Sequence, residues 1–505
     1  MVQLKSEELS FYIQCMSQRK NALSVTREEN FSAWYKEVIV KADLAELSEA
    51  RGCMVIKPYG FAIWENVKSI LDNKFKELGH VNAYFPLFIP VDLFEKESEH
   101  VAGFAKEMAV VTHHRLECID GKLVPTGKLE TPYVVRPTSE LIIGKSFSRW
   151  IKSYRDLPLL INQWCNVVRW EMRPRMFLRT AEFLWQEGHT AHETAEQAIE
   201  ETIKMHEVYK WFICDILKLF AIPGKKPEYD KFAGAIETYT VEAMMQDGKA
   251  LQSATSHFLG QNFAKATDIK YQDKNGNTQY AYTSSWGLST RIIGALIMSH
   301  SDNDGLNLPS AIAPYHCVII PLVKDNSNKD VIMNYCSNIK EQLSHNFRIF
   351  LDTKDDSPQN KKWNYIRKGV PFICEIGMKE IENNIVFFIK RSCDLKQVKL
   401  NKEEFINNFF NLLEEHDKTL QSKNESICES KVIDNIKTFN ELNEFFSNNN
   451  GFVKVKWSGS KENIEKLEEL SLSIRCITTE QSGMLGKCIL TSKETIQDAI
   501  IAKSY

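Results

Sequence analysis

Residues 164–189 read WCNVVRWEMRPRMFLRTAEFLWQEGH, and this order of residues predicts a strand, an arginine-rich loop and a second strand. Residues 166–171 alternate between two faces, as a strand with one functional face should. The loop at 172–178 places two further arginines around a proline, and the alternation resumes over 179–185. One face of the hairpin would therefore carry charged and aromatic side chains, namely Arg169, Glu171, Arg179, Phe183 and Trp185.

Such a face is typical of a site for a nucleoside triphosphate that is held without a P-loop. Arginine forks bind phosphate or carboxylate oxygens at two points, and Phe183 would offer a flat ring for stacking on a base. The alternative is a charged hairpin with solvated arginines, because arginine clusters are common on protein surfaces.

Composition bounds the class of protein. The chain has 505 residues, enough for several domains, and its 43% hydrophobic and 26% charged residues are ordinary for a globular protein. The net charge of −3 gives no global basic field, so an RNA partner would need local basic patches. Twelve scattered cysteines without a CxxC pair favour reduced thiols. With no apolar run of ~18 residues and no signal-like N-terminus, we expect a cytoplasmic protein without membrane spans.

The chain divides into three predicted domains. Residues 1–300 have the pattern of an α+β domain around an antiparallel sheet, with helices at 61–79 and 196–219 and a strand-like stretch at 81–88. Residues 301–420 begin with a polar linker at 301–313.

After the linker, strands and helices alternate as in a compact α/β domain. The predicted strands are 317–323, 347–351, 372–376 and 385–389, and the predicted helices are 329–345, 358–368 and 402–418. The polar stretch 421–430 marks a second boundary, and 421–505 would be a small C-terminal α/β domain.

Three further segments carry candidate chemistry. In VRPTSE (135–140), Thr138 and Glu140 can accept hydrogen bonds from an ammonium group. The alternative is a helix N-cap at Thr138 or Ser139, with Glu140 in the first turn.

In QSATSHFLGQNF (252–263), polar Gln252, Thr255 and His257 share a strand with aromatic residues. No nucleophile elbow accompanies the histidine, so a hydrolase triad is not supported, and a structural histidine is the alternative.

In SWGLSTRIIGALI (285–297), a glycine turn would lead into an apolar helix with Arg291 near its start. A buried arginine is costly unless an anion pairs with it, and a phosphate at a helix N-terminus would supply that anion. The alternative is an ordinary core helix whose arginine reaches solvent.

Together these segments resemble the three signature motifs of class II aminoacyl-tRNA synthetases. The helix at 61–79 with the strand up to Pro86 resembles motif 1, the dimer-forming element; 169–183 resembles motif 2, and 287–297 resembles motif 3. Within that class the chain is similar to the prolyl-tRNA synthetase family of the archaeal/eukaryotic type, over about residues 15–415. The strings that carry this resemblance are HVAGFAKE (100–107), RPTSE (136–140), FLRTAEFLWQEGH (177–189), KFAG (231–234), ATSHFLGQNF (254–263) and SSWGLSTR (284–291).

The resemblance implies a class II antiparallel-sheet catalytic domain, an α/β anticodon-binding domain and a small C-terminal module. It implies ATP-dependent activation of L-proline to prolyl-adenylate and transfer to tRNA(Pro) by a homodimer, with Mg²⁺ on the ATP phosphates. Catalysis would come from holding two anions together and neutralising charge in the transition state.

The resemblance also implies roles for individual residues. Arg169 would bridge the proline carboxylate and the α-phosphate, and Arg291 and Arg179 would hold the outer phosphates, so Arg169 and Arg291 are the catalytic candidates. The ATP set is Arg169, Glu171, Arg179, Thr180, Phe183, Gln252, Thr255 and Arg291. The proline set is Thr138, Glu140, Arg169, Trp185, Glu187, His189, His257 and Ser285. A loop with Phe104 and Glu107 would close over the site.

A basic patch at 352–371 is the candidate tRNA contact. It contains Lys361, Lys362 and Arg367, with Trp363 and Tyr365 between them as possible stacking partners for unpaired bases. The alternative is a solvated helix face.

The chain departs from the family at several positions. Only Cys428, Cys476 and Cys488 lie in the C-terminal region, so a four-cysteine zinc site is not expected, and no metal ligands are predicted. Ser253-Ala254 replaces a usual Gly-Gly, and Ala235 replaces a usual glycine, which puts the pocket dimensions in question. The terminal Tyr505 fits the family, in which it reaches back toward the active site.

Two rival functions stay open from the sequence. One is another class IIa synthetase, such as a threonyl or glycyl enzyme, and the other is a catalytically silent, tRNA-binding paralogue. The spacing between His189 and Ser285 leaves no room for an editing domain, so no editing within this chain is expected.

Overall fold

A computed structural model describes residues 23–95, 107–171 and 173–505. The first part of the chain forms helices and strands around one large sheet. Its helices are α1 (Phe31–Lys41), α2 (Pro58–Glu77), α3 (Val91–Glu95), α4 (Glu140–Trp150), α5 (Ala195–Lys210), α6 (Asn262–Thr267) and α7 (Arg291–His300). Its strands are β1 (Ala45–Leu47), β2 (Met54–Ile56), β3 (Val81–Asn82), β4 (Phe88–Pro90), β5 (Val110–Ile119), β6 (Lys122–Val135), β7 (Leu159–Val168), β8 (Glu182–His192), β9 (Ala221–Lys225), β10 (Glu237–Met244), β11 (Ala250–Gly260), β12 (Lys270–Gln272), β13 (Thr278–Tyr280) and β14 (Tyr282–Ser289).

The middle part contains a five-stranded sheet with helices on both faces. Its elements are β15 (Cys317–Pro321), α8 (Lys329–Ser344), β16 (Ile349–Leu351), α9 (Pro358–Arg367), β17 (Phe372–Ile376), α10 (Met378–Glu382), β18 (Ile385–Lys390), β19 (Lys396–Asn401), α11 (Lys402–Asn407) and α12 (Phe409–Glu429). The C-terminal part contains β20 (Val432–Ile433), α13 (Phe439–Asn448), β21 (Phe452–Lys456), α14 (Glu465–Glu469), β22 (Ser473–Thr478), β23 (Gly486–Lys487), β24 (Glu494–Thr495) and β25 (Asp498–Ala502).

The main sheet has the order β20-β21-β25-β22-β9-β10-β11-β14-β8-β7-β3. Its neighbours are antiparallel except at the two ends, where β20 pairs with β21 and β3 pairs with β7 in parallel. The predicted antiparallel α+β architecture is therefore confirmed. The β7–β8 hairpin lies near one end of this sheet, with Trp164 opposite Gln186 and Val168 opposite Glu182.

Helix α2 shows why the sequence folds locally as it does. Pro58 lies at the first helical position, where its missing N–H costs no hydrogen bond. Buried Ile63, Trp64 and Val67 continue along one face at helical spacing. The helix starts three residues before the predicted position and stops before Gly79, which has a φ of +91°.

Two other predictions change in detail. The stretch 81–88 is not one strand, because Pro86 separates β3 from β4, which pairs with β6 in a different sheet. The helix predicted at 196–219 ends as an α-helix at Lys210 and continues as a π-helical turn over Trp211–Ile216.

Residues 301–313 have no regular helix or strand, but they are well packed. Leu306, Asn307 and Leu308 are buried, and Asp302 forms two bonds of 2.6 Å with the buried Arg391 guanidinium of the middle part. The segment therefore connects the first two parts rigidly. Helix α12 continues through 421–429, the stretch that the sequence marks as a boundary.

The C-terminal part extends the main sheet. Strand β22 pairs with β9, with Thr478 opposite Gly224, and a Cβ at Gly224 would lie 2.4 Å from the Ile477 carbonyl oxygen. Only glycine allows this approach. Over the ranges that the structure describes, no helix is long and apolar enough to cross a membrane.

Candidate active site

Two adjoining cavities lie over the strands β8, β11 and β14 and the hairpin loop. One has a volume of about 160 Å³ and the other of about 180 Å³, and both are lined by Arg169, Phe183, Ser289 and Arg291. All eight residues of the predicted proline set, with Gln252 and Thr255, line the first cavity, and Glu171, Arg179 and Thr180 line the second. Folding thus brings together every residue that the sequence assigned to the two substrates.

The hairpin loop supplies the residues at the junction. The predicted strands end at 171 and begin at 179, whereas the ladder ends at Val168 and begins at Glu182. Beyond these ends the Arg169 N–H still donates across the hairpin to the Ala181 carbonyl (2.8 Å), but the Trp170 N–H donates to the Glu107 carbonyl (2.7 Å) and the Ala181 N–H to the Gly52 carbonyl (2.8 Å). Phe104 and most of its loop lie outside the described residues.

Arg169 lies where the two cavities meet. Its Nε donates to the Pro137 carbonyl at 2.9 Å, and its guanidinium carbon lies 5.7 Å from the ring centres of both Phe183 and Trp185. Burial lowers the pKa of Arg169, and the carboxylates of Glu140, Glu107 and Glu187 oppose this effect. The result is a desolvated, oriented cation that an anion can approach.

Arg291 is the first residue of α7 and faces the same junction. Its Nε donates to the Leu178 carbonyl at 3.1 Å. Burial and the nearby Arg169 and Arg179 lower its pKa to about 10. Among residues 23–95, 107–171 and 173–505, no carboxylate lies within ion-pair distance of Arg291, so a phosphate would meet an unneutralised charge.

The local geometry around Arg291 differs from the prediction in one respect. Gly287 does not form a turn: it lies within β14, opposite Glu187 of β8 and Thr255 of β11. The chain turns at Thr290 instead. Arg179, in the second cavity, forms an ion pair with Glu171.

The start of α4 is specialised for carboxylate contacts. The Thr138 hydroxyl donates to the Glu140 carboxylate, and the Ser139 hydroxyl donates to Glu187. Ser139 is the N-cap residue of α4 and Glu140 lies in the first turn, as the alternative interpretation has it, but no side chain forms a capping hydrogen bond, because both hydroxyls bind carboxylates instead.

Glu187 and His189 form a buried pair in the first cavity. His189 Nε2 lies 3.0 Å from Glu187 Oε2, and Gln163 donates to Oε1 at 2.8 Å. Burial raises the pKa of Glu187, but the hydrogen bonds and charge of His189 bring it below its usual value. Burial lowers the pKa of His189, but the Glu187 carboxylate brings it above its usual value.

His257 is a different kind of histidine. It lies 4.6 Å from the Phe232 ring, and its Nδ1 is 3.0 Å from the Thr238 hydroxyl. Burial, with the charge of His189, lowers its pKa to about 3, so the ring is neutral at physiological pH.

Four supporting residues were missed from the sequence, namely Ser139, Gln163, Cys165 and Thr238. Gln163 and Cys165 lie opposite Glu187 and Trp185 in the hairpin, and the Trp185 indole N–H points at the Cys165 sulfur at 3.0 Å. The strand register would have identified these two residues. Ser139 and Thr238 come from elsewhere in the chain and have no comparable signal.

The predicted basic patch on α9 is not a surface for stacking on bases. Trp363 and Tyr365 are buried in the core of the middle part, and Lys361 is buried with its Nζ 3.2 Å from the Asp352 carbonyl. Lys362 is paired with Glu375 at 3.2 Å, and Arg367 is half-buried. Helix α9 packs on one face of the sheet with both rings on its buried side, so the prediction that Trp363 and Tyr365 stack on bases is wrong, whereas tRNA contacts by Lys361, Lys362 and Arg367 stay a prediction.

The C-terminal cysteines do not meet. Cys428 and Cys476 belong to one apolar cluster and Cys488 to another. Within the described part of the chain, no group of three or more histidine, cysteine or carboxylate residues is arranged to hold a metal ion.

Tyr505 does reach the hairpin loop. Its hydroxyl donates to Asp247 at 2.7 Å, and its ring centre lies 6.0 Å from the Arg175 guanidinium carbon. Ser253 and Ala254, the positions that depart from Gly-Gly, line the first cavity.

An antiparallel sheet with arginines on a strand–loop–strand and at the start of the helix after β14 defines the core of a class II aminoacyl-tRNA synthetase. Residues 126–300 match the family described as tRNA synthetase class II core domain (G, H, P, S and T). Residues 316–411 match the anticodon binding domain, and residues 439–505 match the C-terminal domain of prolyl-tRNA synthetase.

Full-length relatives narrow the class further. The chain is 49% identical to the proline--tRNA ligase of Paramagnetospirillum magneticum, over 96% of this chain and 99% of the relative. It is 48% identical to that of Protochlamydia amoebophila, over 96% and 99%. A crystal structure of prolyl-tRNA synthetase from Cryptosporidium parvum, complexed with halofuginone and AMPPNP, has a TM-score of 0.88 and 33% identity, and covers 96% of this chain and 100% of that one. The chain belongs to the proline--tRNA ligase family.

Proposed function

We propose that this chain activates L-proline with ATP to prolyl-adenylate and then transfers the prolyl group to tRNA(Pro). The observation that carries this proposal is the pair of half-buried arginines, Arg169 and Arg291, at the junction of a carboxylate-lined and an arginine-lined cavity. The family membership supports the same reaction.

In the activation step, the proline carboxylate attacks the α-phosphorus of ATP and pyrophosphate leaves. Arg169 holds the carboxylate and the α-phosphate together and offsets their mutual repulsion. Arg291 and Arg179 hold the outer phosphates, and the Phe183 ring stacks on adenine, with Thr180, Gln252 and Thr255 completing the nucleotide site. No side chain has to form a covalent bond or remove a proton, because the carboxylate is already the nucleophile.

Mg²⁺ would accompany the nucleotide. The phosphate cavity contains the carboxylates of Glu107 and Glu171, and carboxylate oxygens are the ligands that Mg²⁺ prefers. The ion would supply neutralisation of phosphate charge, and the arginines of the cavity position the phosphates themselves.

Selection of proline follows from the first cavity. The secondary ammonium of proline meets the Thr138–Glu140 pair, and the Trp185 indole forms a flat apolar wall for the ring. The Glu187–His189 pair and the neutral His257, with Ser285, close the rest of the cavity. Because one methylene is worth about 1–3 kcal/mol in such a pocket, alanine is activated at a reduced rate.

The test is ATP–pyrophosphate exchange across the standard amino acids. Exchange that depends on proline is the expected result. Exchange that depends on threonine or glycine would favour the rival class IIa enzymes, and absence of exchange with every amino acid would favour a silent paralogue. Hydrolysis of Ala-tRNA by this chain alone would contradict the absence of an editing function.

We also propose a homodimer. Large apolar side chains are exposed along the motif 1 segment and the β5–β6 arm: Val81, Tyr84, Phe88, Leu116 and Leu123. A contiguous exposed apolar surface is typical of a protein interface, and a second copy is the partner that motif 1 serves in this class. Sedimentation of the wild type as a dimer and of a Leu116→Glu/Leu123→Glu variant as a smaller species is expected; a monomeric wild type would contradict the proposal.

Further properties complete the proposal. The domains are 1–300, 301–420 and 421–505, the chain is of the archaeal/eukaryotic type, and it acts in the cytoplasm. The assignment to the archaeal/eukaryotic type is supported by the order of the catalytic, anticodon-binding and prolyl-specific C-terminal parts along the chain. The middle part would contact tRNA(Pro) through a surface other than the buried face of α9.

A further inference from the structure

A buried charge cluster joins the C-terminal part to the floor of the phosphate cavity. Its centre is Glu242 on β10, which is completely buried. Glu242 lies opposite Gln252 on β11, and the Gln252 carbonyl lies 3.5 Å from Nη1 of Arg291. The cluster is therefore one strand away from the arginine that would hold the outer phosphates.

Both oxygens of the Glu242 carboxylate are occupied. Oε2 accepts from Nη2 and Nε of Arg475 at 2.9 and 3.1 Å. Oε1 accepts from the Thr240 hydroxyl at 2.9 Å and lies 3.1 Å from Lys226 Nζ. Thr240 and Lys226 belong to the catalytic part, whereas Arg475 comes from β22 of the C-terminal part.

Glu242 and Arg475 act on Arg291 in opposite directions. After burial and the two neighbouring arginines, Glu242 is the anion that raises the pKa of Arg291, and Arg475 is a cation that lowers it. The Glu242 carboxylate attracts the Arg291 guanidinium from one strand away, and this attraction opposes the binding of phosphate unless other cations hold the carboxylate. The two-point contact with Arg475 is the kind of geometry that fixes a carboxylate in place.

We propose that Arg475 is a positioning residue for the activation step: by holding Glu242, it keeps Arg291 available for the phosphates of ATP. The C-terminal part thereby sets the affinity of the catalytic part for the nucleotide, through the strand pair β22–β9 and the neighbouring β10. The inference rests on the proposed role of Arg291 in ATP binding.

The test is steady-state ATP–pyrophosphate exchange with the full-length Arg475→Met variant. We expect KM for ATP to rise about fivefold or more, a usual size for coupling between sites, with KM for proline within about twofold of the wild type. Arg475→Lys keeps the cation and restores most of the ATP affinity. In Glu242→Gln/Arg475→Gln, the competing anion is gone together with its partner, so KM for ATP returns toward the wild-type value.

Lys456→Met is the matched control. It removes an ion pair of 2.8 Å, with Asp498, from the same C-terminal part and has no contact with β10. If the role of Arg475 were purely structural, Arg475→Met would behave like Lys456→Met. The melting temperature would fall, and any change in KM would be the same for ATP and for proline.

An unchanged KM for ATP in Arg475→Met, or an equal rise in both KM values, overturns the inference. If Arg475→Met does not fold, Arg475→Gln carries the same test, because its neutral amide fills the space of the guanidinium but supplies neither the cation nor the two-point contact that hold Glu242. A wild type without proline-dependent exchange would refute the proposed function itself, which is a different outcome from a wild type that exchanges and an Arg475 variant that behaves normally.

Discussion

At the scale of single residues, the site is a set of charged groups held largely away from water. Arg169 and Arg291 are desolvated cations, and Glu140 and Glu187 are buried carboxylates in the adjoining cavity. An isolated buried charge is expensive. Such an arrangement is stable because neighbouring hydroxyls and His189 bond the carboxylates, and because the substrates bring the remaining counter-charges.

Glu140→Gln tests the ammonium site. The variant keeps the size of the side chain and the contact with Thr138 but removes the negative charge that would face the proline ammonium. A hydrogen bond to a charged group is worth about 1.5–3 kcal/mol, so we expect KM for proline to rise by about one to two orders of magnitude. KM for ATP, measured in the same exchange assay, should change little.

The conservative Glu140→Asp variant retains the charge and should lose less affinity for proline. Equal losses for proline and ATP in Glu140→Gln would mean that the residue supports the cavity as a whole and does not bind the ammonium.

At the scale of secondary-structure elements, helix α9 shows how burial can overturn an interpretation made from the sequence. Its lysines and aromatic residues suggest a nucleic-acid surface, but Lys361, Trp363 and Tyr365 face the sheet. Asp352 explains the burial, since it accepts from the Tyr365 hydroxyl at 2.9 Å and lies 3.7 Å from Lys361 Nζ.

Lys361→Glu should therefore act on stability. The change places a carboxylate beside buried Asp352, and we expect the free energy of unfolding of the middle part to fall by about 3 kcal/mol or more. Thermal unfolding of the full chain measures this as a lower first transition. Lys396→Glu, at an exposed position on β19, is the control and should leave the transition nearly unchanged. A normal transition in Lys361→Glu with lost tRNA binding would reinstate Lys361 as a direct contact.

At the scale of the whole molecule, several buried histidines make the fold sensitive to acid. Burial lowers the pKa of His206 to about 4, and both ring nitrogens of His206 are buried without hydrogen-bond partners. The folded chain therefore binds its proton only at low pH, whereas an unfolded histidine binds it near pH 6.5. The stability that depends on a neutral His206 is complete above pH 6.5 and is lost as the pH falls toward 4.

His206→Leu should remove this dependence. The variant keeps an apolar volume in the core. The difference in free energy of unfolding between the variant and the wild type should be about 2 kcal/mol more favourable to the variant at pH 5 than at pH 7.5. Melting temperatures at the two pH values measure the gain. Exposed His345→Leu is the control for the loss of a histidine outside the core, and it is measured at the same two pH values. An equal shift at both pH values would assign the effect to packing and not to protonation.

The sequence by itself determined which elements exist and which chemistry they carry. Strand alternation, the proline at the start of α2 and the arginine spacing are local properties, so the hairpin and the motif helices could be predicted from residues close together in the chain, whereas the roles of the substrate residues came from the family resemblance. The sequence shows directly those properties that depend only on residues close together in the chain.

Only the tertiary structure decided where each element ends, which charges are buried and which distant groups meet. Past one further bond between Arg169 and Ala181, the hairpin backbone donates to Glu107 and Gly52 from other segments. Helix α9 turns Lys361 inward, where Asp352 lies 3.7 Å from its Nζ. Glu242 meets Arg475, more than two hundred residues away, because β22 joins the catalytic sheet. The cost of burying a charge depends on partners from other strands and helices, and no local pattern contains them.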